Sequence, residues 1–406
     1  MIAVAQGLPL AILIFGAVVI LAILIKAGLE RLSLPALIGF MALGFAVRLS
    51  DSRWGLLPAG AEGIFDFLAD IGLICLLFRV GLESNLEGLL RQLRRATVVW
   101  VGDVAVSGLV GFAVSYYLLK LPLIPSLFVG SALTATSVGI GVRVWQERKA
   151  LNTPVGELLL DVAEMDDLSG IVLMALLFAV APVLHESGHV SLGPMVARTC
   201  GWVLAKLLAF GAVCFVFSRY AEKRLTAFSR RIERGPDPMI TMVGIAFVVA
   251  AIASLMGFSV AIGAFFAGLV FSRDPSAVKM EASFDALYEL FYPFFFVGIG
   301  MGMAPGSLTG AVGLGLALLA AGIVGKIVGA GTPTLMTAGR RSALLMSPSM
   351  IPRAEVAMVI MLHGRSMGDW AVPDEVFSGM ALVSAVTCVL SPAALGWMLK
   401  RYPPEQ

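Results

Sequence analysis

Apolar runs, most of them long enough to form a helix of about 20 residues, follow one another along almost the whole sequence. This feature constrains the fold most, because a helix of that length crosses the hydrocarbon core of a bilayer. The chain has 406 residues, of which 59% are hydrophobic and 14% are charged. A soluble domain of this length needs far more polar surface. We therefore predict an all-α, multi-pass membrane protein in a lipid bilayer.

The predicted transmembrane helices number about thirteen, and the loops between them are mostly short. The apolar segments are approximately 8–26, 35–49, 64–82, 97–118, 125–145, 156–181, 197–218, 239–257, 259–272, 283–303, 308–330, 342–364 and 376–398. No polar stretch is long enough for a separate soluble module. No basic residue precedes the first run, so we expect that run to remain as a span and not to be cleaved as a signal peptide.

Lysine and arginine are distributed unevenly between alternate loops. One set of loops carries Lys26, Arg31, Arg91, Arg94, Arg95, Arg143, Arg148, Lys149, Arg219, Lys223, Arg224, Arg230, Arg231, Arg234, Arg273, Lys279, Arg340, Arg341, Lys400 and Arg401. The opposite set carries Arg48, Arg53, Lys120 and Arg365. Loops rich in these residues stay in the cytoplasm. We therefore predict an inner-membrane protein with its N-terminus outside and its C-terminus in the cytoplasm, which requires an odd number of spans.

Two of the apolar segments contain residues that interrupt a helix. Segment 125–145 carries glycines and hydroxyl residues that weaken a helix. Its hydroxyl residues include Thr134, Thr136 and Ser137. Segment 342–364 carries Pro348 and Pro352, each of which removes a backbone donor. Non-helical backbone at membrane depth is tolerated where it is buried in protein or lines a cavity.

The two interrupted segments occupy matching positions in the chain. If segments 2–6 and 9–13 are five-helix repeats, each interrupted segment is the fourth of its repeat, and the odd offset of seven segments makes the repeats inverted. We therefore predict two inverted repeats with crossed broken helices. Such paired interruptions indicate a transporter site. The alternative is an ordinary proline kink and a hydroxyl-rich packing face.

Charged residues inside the apolar segments are concentrated in segment 156–181, which contains Asp166 and Asp167. Adjacent helical residues point about 100° apart, so both side chains can border one cavity without facing one partner. Two carboxylates this close in a low dielectric do not both ionise easily, so their protons leave in coupled steps. A bound cation favours the ionised carboxylates, and protonation of the carboxylates favours release of the cation. This competition couples the flux of the cation to the flux of protons, provided that access to the site alternates between the two sides. The alternative is a carboxylate pair that structural hydrogen bonds satisfy.

Lys326 lies in the middle of segment 308–330 and requires a counter-charge, for which an aspartate of segment 156–181 is the candidate. Gly322, Gly325 and Gly329 beside it would let another helix approach closely.

Other charged residues receive less definite interpretations. Glu164 and Asp161 lie on the same helical face as Asp167. They are interpreted as lining a cytoplasmic funnel that attracts cations, or alternatively as surface charges. Arg353 and Glu355 follow the second interruption, where they pair with each other, pair with the aspartates or hold the broken helix. Three further charged residues lie inside apolar segments, and the sequence assigns no specific role to them: Asp103, Asp70 and Arg79.

Several stretches in order along the chain resemble the monovalent cation:proton antiporter superfamily, specifically its second branch with the sodium/hydrogen exchanger fold and NapA-type members. These stretches are 76–83 (LLFRVGLE), 133–140 (LTATSVGI), the pair Asp166–Asp167, 261–268 (AIGAFFAG), Gly325–Lys326 and 352–356 (PRAEV). The resemblance implies a homodimer. It assigns dimerisation to 1–96 and 237–306, the ion-carrying core to 97–181 and 307–406, and a linker helix with a cytoplasmic loop to 182–236.

The same resemblance implies roles for individual residues. Asp167 would ligate the cation, Asp166 would pair with Lys326, and Thr134 with nearby backbone would shape the site. Sodium or lithium is favoured as the cation, and potassium stays open, because Glu164 stands where the family is usually uncharged. We expect no cofactor, no nucleic acid partner and no C-terminal nucleotide-binding module.

Cation:proton antiport is therefore the leading functional hypothesis from the sequence. A sodium-coupled organic-solute symporter on the same repeat fold is the alternative. Enzymatic function is not expected, because an intramembrane aspartyl protease needs its two aspartates on separate helices. A passive channel would require a continuous pore.

Overall fold

The computed structural model describes residues 2–32, 34–58, 60–83, 93–186, 192–220, 239–272 and 277–404. All regular secondary structure in these ranges is helical. The helices are α1 (Ile2–Arg31), α2 (Ala36–Trp54), α3 (Ala61–Glu83), α4 (Leu93–Ala113), α5 (Leu123–Thr134), α6 (Val138–Glu147), α7 (Pro154–Glu186), α8 (Leu192–Tyr220), α9 (Met239–Leu255), α10 (Val260–Phe271), α11 (Ala277–Gly302), α12 (Leu308–Gly329), α13 (Gly331–Ser349), α14 (Glu355–Met367) and α15 (Asp374–Arg401). A π-helical turn, Val114–Leu118, extends α4, and a 3₁₀ turn, Pro305–Ser307, precedes α12.

Eight helical segments in the described ranges are long and apolar enough to cross a membrane. They include α7, and the broken pair α5 and α6 counted together as Leu123–Glu147. Helices α9 and α10 are apolar but shorter. The predicted all-α membrane fold is therefore confirmed, whereas the count of thirteen spans stays a prediction. Many of the basic loop residues used for that count lie outside the described residues, namely Arg91, Lys223, Arg224, Arg230, Arg231, Arg234 and Arg273.

The chain divides into two compact units. Unit 1 consists of residues 1–85 and 201–302, and unit 2 consists of residues 86–200 and 303–406. The linker predicted at 182–236 is divided between them, and its last part, 221–236, lies outside the described residues.

Glycines allow the helices of unit 1 to cross with their backbones in contact. A Cβ on Gly44 of α2 would collide with the carbonyl of Val297 in α11, and one on Gly300 of α11 would collide with the carbonyl of Met41 in α2. Helices α3 and α10 repeat this arrangement. There a Cβ on Gly81 would collide with the carbonyl of Phe265, and one on Gly268 with that of Phe78. Reciprocal contacts of this kind fix two helix crossings in unit 1.

Unit 2 contains a crossing of the same kind between α4 and α12. Gly329 of α12 lies against the backbone of Gly102 and Asp103, and Gly325 lies against Ser107 one turn further along α4. The close approach expected at Gly325 and Gly329 is therefore present. It turns the intervening residue of α12, Lys326, toward α4.

Candidate cation and proton site

Both predicted helix interruptions are present, and they lie against each other in unit 2. The first separates α5 from α6 at residues 135–137, where Ala135 has an extended backbone with φ −64° and ψ 140°. The second separates α13 from α14 at residues 350–354. The peptide nitrogen of Ser137 donates a hydrogen bond of 2.9 Å to the carbonyl oxygen of Pro352. The bond pairs a backbone donor of the first interruption with a backbone acceptor of the second, and neither group has a partner within its own helix.

Side chains of neighbouring helices form hydrogen bonds with residues in and beside the second interruption. The hydroxyl of Ser391 on α15 donates to the carbonyl of Pro348 at 2.6 Å. Thr387, also on α15, accepts from the peptide nitrogen of Arg353 at 3.2 Å. The indole nitrogen of Trp145 on α6 donates to the hydroxyl of Ser349 at 2.9 Å. Contacts with α6 and α15 therefore stabilise the non-helical backbone of the second interruption.

Lys326 is completely buried and has three oxygen neighbours. Its ammonium group forms an ion pair and hydrogen bond with Oδ2 of Asp103 on α4. It also donates to the carbonyl oxygen of Thr134 at 2.7 Å. Oδ2 of Asp166 on α7 is farther away, at 3.8 Å. The hydrogen-bonded counter-charge of Lys326 is therefore Asp103, and Asp166 is a second, more distant one.

Arg353 lies in the second interruption and reaches into the first. Its side chain is 1% exposed. The Nη1 group donates to the carbonyl of Ala135 and lies 3.4 Å from both the carbonyl of Thr134 and Oγ1 of Thr136. Carbonyls at the C-terminal end of a helix carry partial negative charge. Arg353 and Lys326 therefore place two positive charges at the C-terminal end of α5.

Four charged side chains in the described ranges are almost completely buried, and all four lie in this cluster. Asp103 and Lys326 are 0% exposed, and Asp166 and Arg353 are 1% exposed. Arg353 acts electrostatically on both carboxylates, as Lys326 does. With all four ionised, their charges cancel. Such balance limits the cost of removing ions from water.

Asp166 differs from Asp103 in its hydrogen bonds. Neither of its carboxyl oxygens has a hydrogen-bond partner among the described residues. Its backbone carbonyl accepts from the hydroxyl of Ser169 at 2.9 Å, and that hydroxyl accepts from the indole of Trp100 at 3.0 Å. The backbone of α7 is thus anchored at this point, whereas the carboxylate retains free acceptor positions.

The remaining predicted site residues surround this cluster in different ways. Asp167 and Glu164 are half-buried on α7, one residue after and two residues before Asp166. Thr134 contributes its carbonyl, since its hydroxyl bonds the carbonyl of Ser131 at 2.8 Å. Thr136 bridges the interruptions through a contact of 3.4 Å to the carbonyl of Met350. Two more residues flank the breaks: Ser137 is buried, and Glu355 is half-buried at the start of α14.

Asp103 is the member of the cluster to which the sequence assigned no role. The available signal was the pairing of an acid next to Gly102 in one apolar segment with a lysine between Gly325 and Gly329 in another. Within the described residues, no group of three or more histidine, cysteine, aspartate or glutamate side chains is arranged to hold a metal ion.

Two interrupted helices that meet beside buried charges, in an apolar all-helical chain, define the class of membrane transport proteins. Comparison with known proteins gives the family. The profile described as the transmembrane region of sodium/hydrogen exchangers matches residues 16–401, so the chain belongs to the sodium/hydrogen exchanger family.

Individual relatives agree with this assignment. The chain is 26% identical to the high-affinity Na⁺/H⁺ antiporter NhaS3 of Synechocystis, over 89% of this chain and 84% of that protein. It is 25% identical to the Na⁺/H⁺ antiporter of Enterococcus hirae, over 92% and 94%. The sodium proton antiporter MjNhaP1 from Methanocaldococcus jannaschii has a similar fold, with a TM-score of 0.74, 17% identity and coverage of 98% and 99%.

Proposed function

We propose that this protein exchanges a monovalent cation for protons across a membrane by alternating access. The observation that carries the proposal is the carboxylate of Asp166, which is buried, has no hydrogen-bond partner in the part of the chain that the structure describes, and lies 3.8 Å from Lys326 beside the helix breaks. A carboxylate in this state is available either to a cation or to a proton. The names of the relatives, which are Na⁺/H⁺ antiporters, support the same reaction.

Asp167 is proposed as the principal cation ligand, with Asp166 beside it. Asp167 is half-buried, next to the buried Asp166 on α7, so it is the more accessible of the two carboxylates. Carboxylate and carbonyl oxygens are suitable ligands for small hard cations. Glu164 lies three residues before Asp167 on the same helical stripe and is proposed to attract cations to the site.

Exchange then follows from competition at the carboxylates. A cation binds to the ionised form and is released when protons bind. The charges of Lys326 and Arg353 compensate the negative charge of the cluster when the site is empty of cargo. Unit 2, which contains all of these residues, is proposed to move as the ion-carrying core, while unit 1 forms the interface of a homodimer.

The finer assignments are also proposals. Sodium or lithium is the favoured cation, and potassium stays open, since one relative from Bacillus cereus is named a Na⁺/H⁺-K⁺ antiporter. The protein is proposed to lie in the inner membrane with its N-terminus outside, and to work without a cofactor or chemical catalysis. The relatives do not favour the sodium-coupled solute symporter.

Reconstitution into proteoliposomes tests the proposal. With an imposed pH gradient, adding Na⁺, Li⁺, K⁺ or Rb⁺ to vesicles with a pH-sensitive dye should dissipate the gradient for at least one ion. A clamped potential separates exchange from electrophoretic leak. A gradient that no cation affects, in vesicles shown to contain folded protein, would rule out the proposed exchange.

A further inference from the structure

We infer that Asp103 is a positioning residue for the cation site: it holds the ammonium group of Lys326 away from Asp166 and so leaves that carboxylate open to the cation. The inference rests on the proposed function and adds a residue on α4 to it. Its basis is the arrangement of one lysine between two buried carboxylates.

The geometry separates the two carboxylates clearly. The ammonium of Lys326 is hydrogen-bonded to Asp103 but lies 3.8 Å from Asp166. Its second hydrogen bond goes to the carbonyl of Thr134 at 2.7 Å, which directs it toward the end of α5. The carboxyl oxygens of Asp166 consequently have no hydrogen-bond partner among the described residues.

The backbone packing holds this arrangement in place. Gly329 meets the backbone of Asp103, and Gly325 meets Ser107, so α4 and α12 are in contact on both sides of the ion pair. Lys326 cannot follow Asp166 without breaking its pair with Asp103. A buried ammonium that loses its counter-charge must find another one. Asp166 is the nearest alternative.

Removing the charge of Asp103 should therefore convert Lys326 into a competitor of the cation. In Asp103→Asn the lysine pairs with Asp166, and the cluster of Asp166, Lys326 and Arg353 gains a net positive charge. Both effects oppose cation binding. Asp103→Glu retains the charge and serves as the conservative control. The double variant Asp103→Asn/Lys326→Gln removes both members of the pair and restores charge balance.

The measurement is the dissociation constant for Na⁺, from isothermal titration calorimetry on the purified full-length protein at constant pH. We expect the dissociation constant to rise about tenfold or more in Asp103→Asn. It should remain within about threefold of wild type in Asp103→Glu and return toward wild type in the double variant. In proteoliposomes, the KM for Na⁺ should rise in Asp103→Asn with a small change in maximal rate.

The outcomes separate this inference from the proposed function. Wild-type protein without exchange activity contradicts the proposed function, whereas the binding measurement still reports on Asp103. An unchanged dissociation constant in Asp103→Asn, with less folded protein or a lower maximal rate, identifies a structural residue and overturns the inference. If Asp103→Asn does not fold, the dissociation constant for Na⁺ of the double variant Asp103→Asn/Lys326→Gln tests the inference. Loss of Na⁺ binding there means that Lys326 itself is required at Asp166, and the inference is wrong.

Discussion

The peptide nitrogen of Ser137 and the carbonyl oxygen of Pro352 are joined by a hydrogen bond of 2.9 Å, although 215 positions separate the two residues in the sequence. This bond connects the break after α5 to the break before α14. Arg353, the next residue, donates its side chain back to the carbonyls of the first break. The two interruptions therefore form one structural element, and substitutions in either should affect both.

Asp167→Asn should abolish cation-dependent proton exchange. The amide retains the size of the side chain but provides no negative charge to bind a cation and no site for a proton. Fluorescence dequenching in proteoliposomes measures the loss. The exposed loop residue Asp369 provides the matched control, because Asp369→Asn makes the same chemical change away from the site. Full exchange in Asp167→Asn would contradict the assignment of this residue as principal ligand.

The apparent affinity for Na⁺ should fall as the pH is lowered. Protons and cations compete for the same carboxylates in the proposed mechanism, so a higher proton concentration leaves fewer sites in the ionised form. The expected result is a rising KM for Na⁺ with a nearly constant maximal rate, measured in proteoliposomes at several pH values on the cation side. A KM that is independent of pH would show that the two ions use separate sites.

Arg353→Ala should destabilise unit 2 strongly. It removes the donor to the carbonyls at the end of α5 and leaves the buried negative charges with one positive partner fewer. Loss of one member of a buried charge network typically costs about 3–5 kcal/mol. The apparent melting temperature in detergent should drop, and Arg353→Lys should recover only part of it, because an ammonium group is more strongly hydrated than a guanidinium group and costs more to bury. A melting temperature equal to that of wild type would exclude this role.

Gly44→Ala should destabilise unit 1, because the added Cβ collides with the carbonyl of Val297. Overpacking of a close contact costs about 1–3 kcal/mol. Gly63→Ala in α3 is the matched control: a Cβ there has no neighbour within 4 Å. In the control, the alanine should preserve or slightly raise the melting temperature, since it favours a helix. Equal melting temperatures for the two variants would show that α2 and α11 can move apart at Gly44 without loss of stability.

The helix interruptions are predictable from the sequence because their causes are local. Pro352 and the hydroxyl and glycine residues near 134 act on their own turns of helix, whereas Pro348 lies inside the last turn of α13, just before the second break. Asp166 and Asp167 of α7 are visible in the sequence for the same reason, since charge inside an apolar run is rare.

The partner of Lys326 could not be obtained in this way. It depends on the register of α4 against α12, which the glycines at 102, 325 and 329 set through contacts between distant segments. Register of this kind is a property of the packed structure. The number of spans stays a prediction, because α9 and α10 are short, and α2 and α3 carry several charges.

The cancellation of the four buried charges has a consequence for the response to voltage. Moving one elementary charge through a potential of 100 mV involves about 2.3 kcal/mol of work. The proposed displacement of unit 2 would carry Asp103, Asp166, Lys326 and Arg353 together, and with all four ionised their contributions to this work would offset each other. The membrane potential would then act on the motion through the half-buried acids of α7 and the bound cargo. Any current that accompanies turnover would then depend on the charges of the half-buried acids of α7 and of the bound cargo.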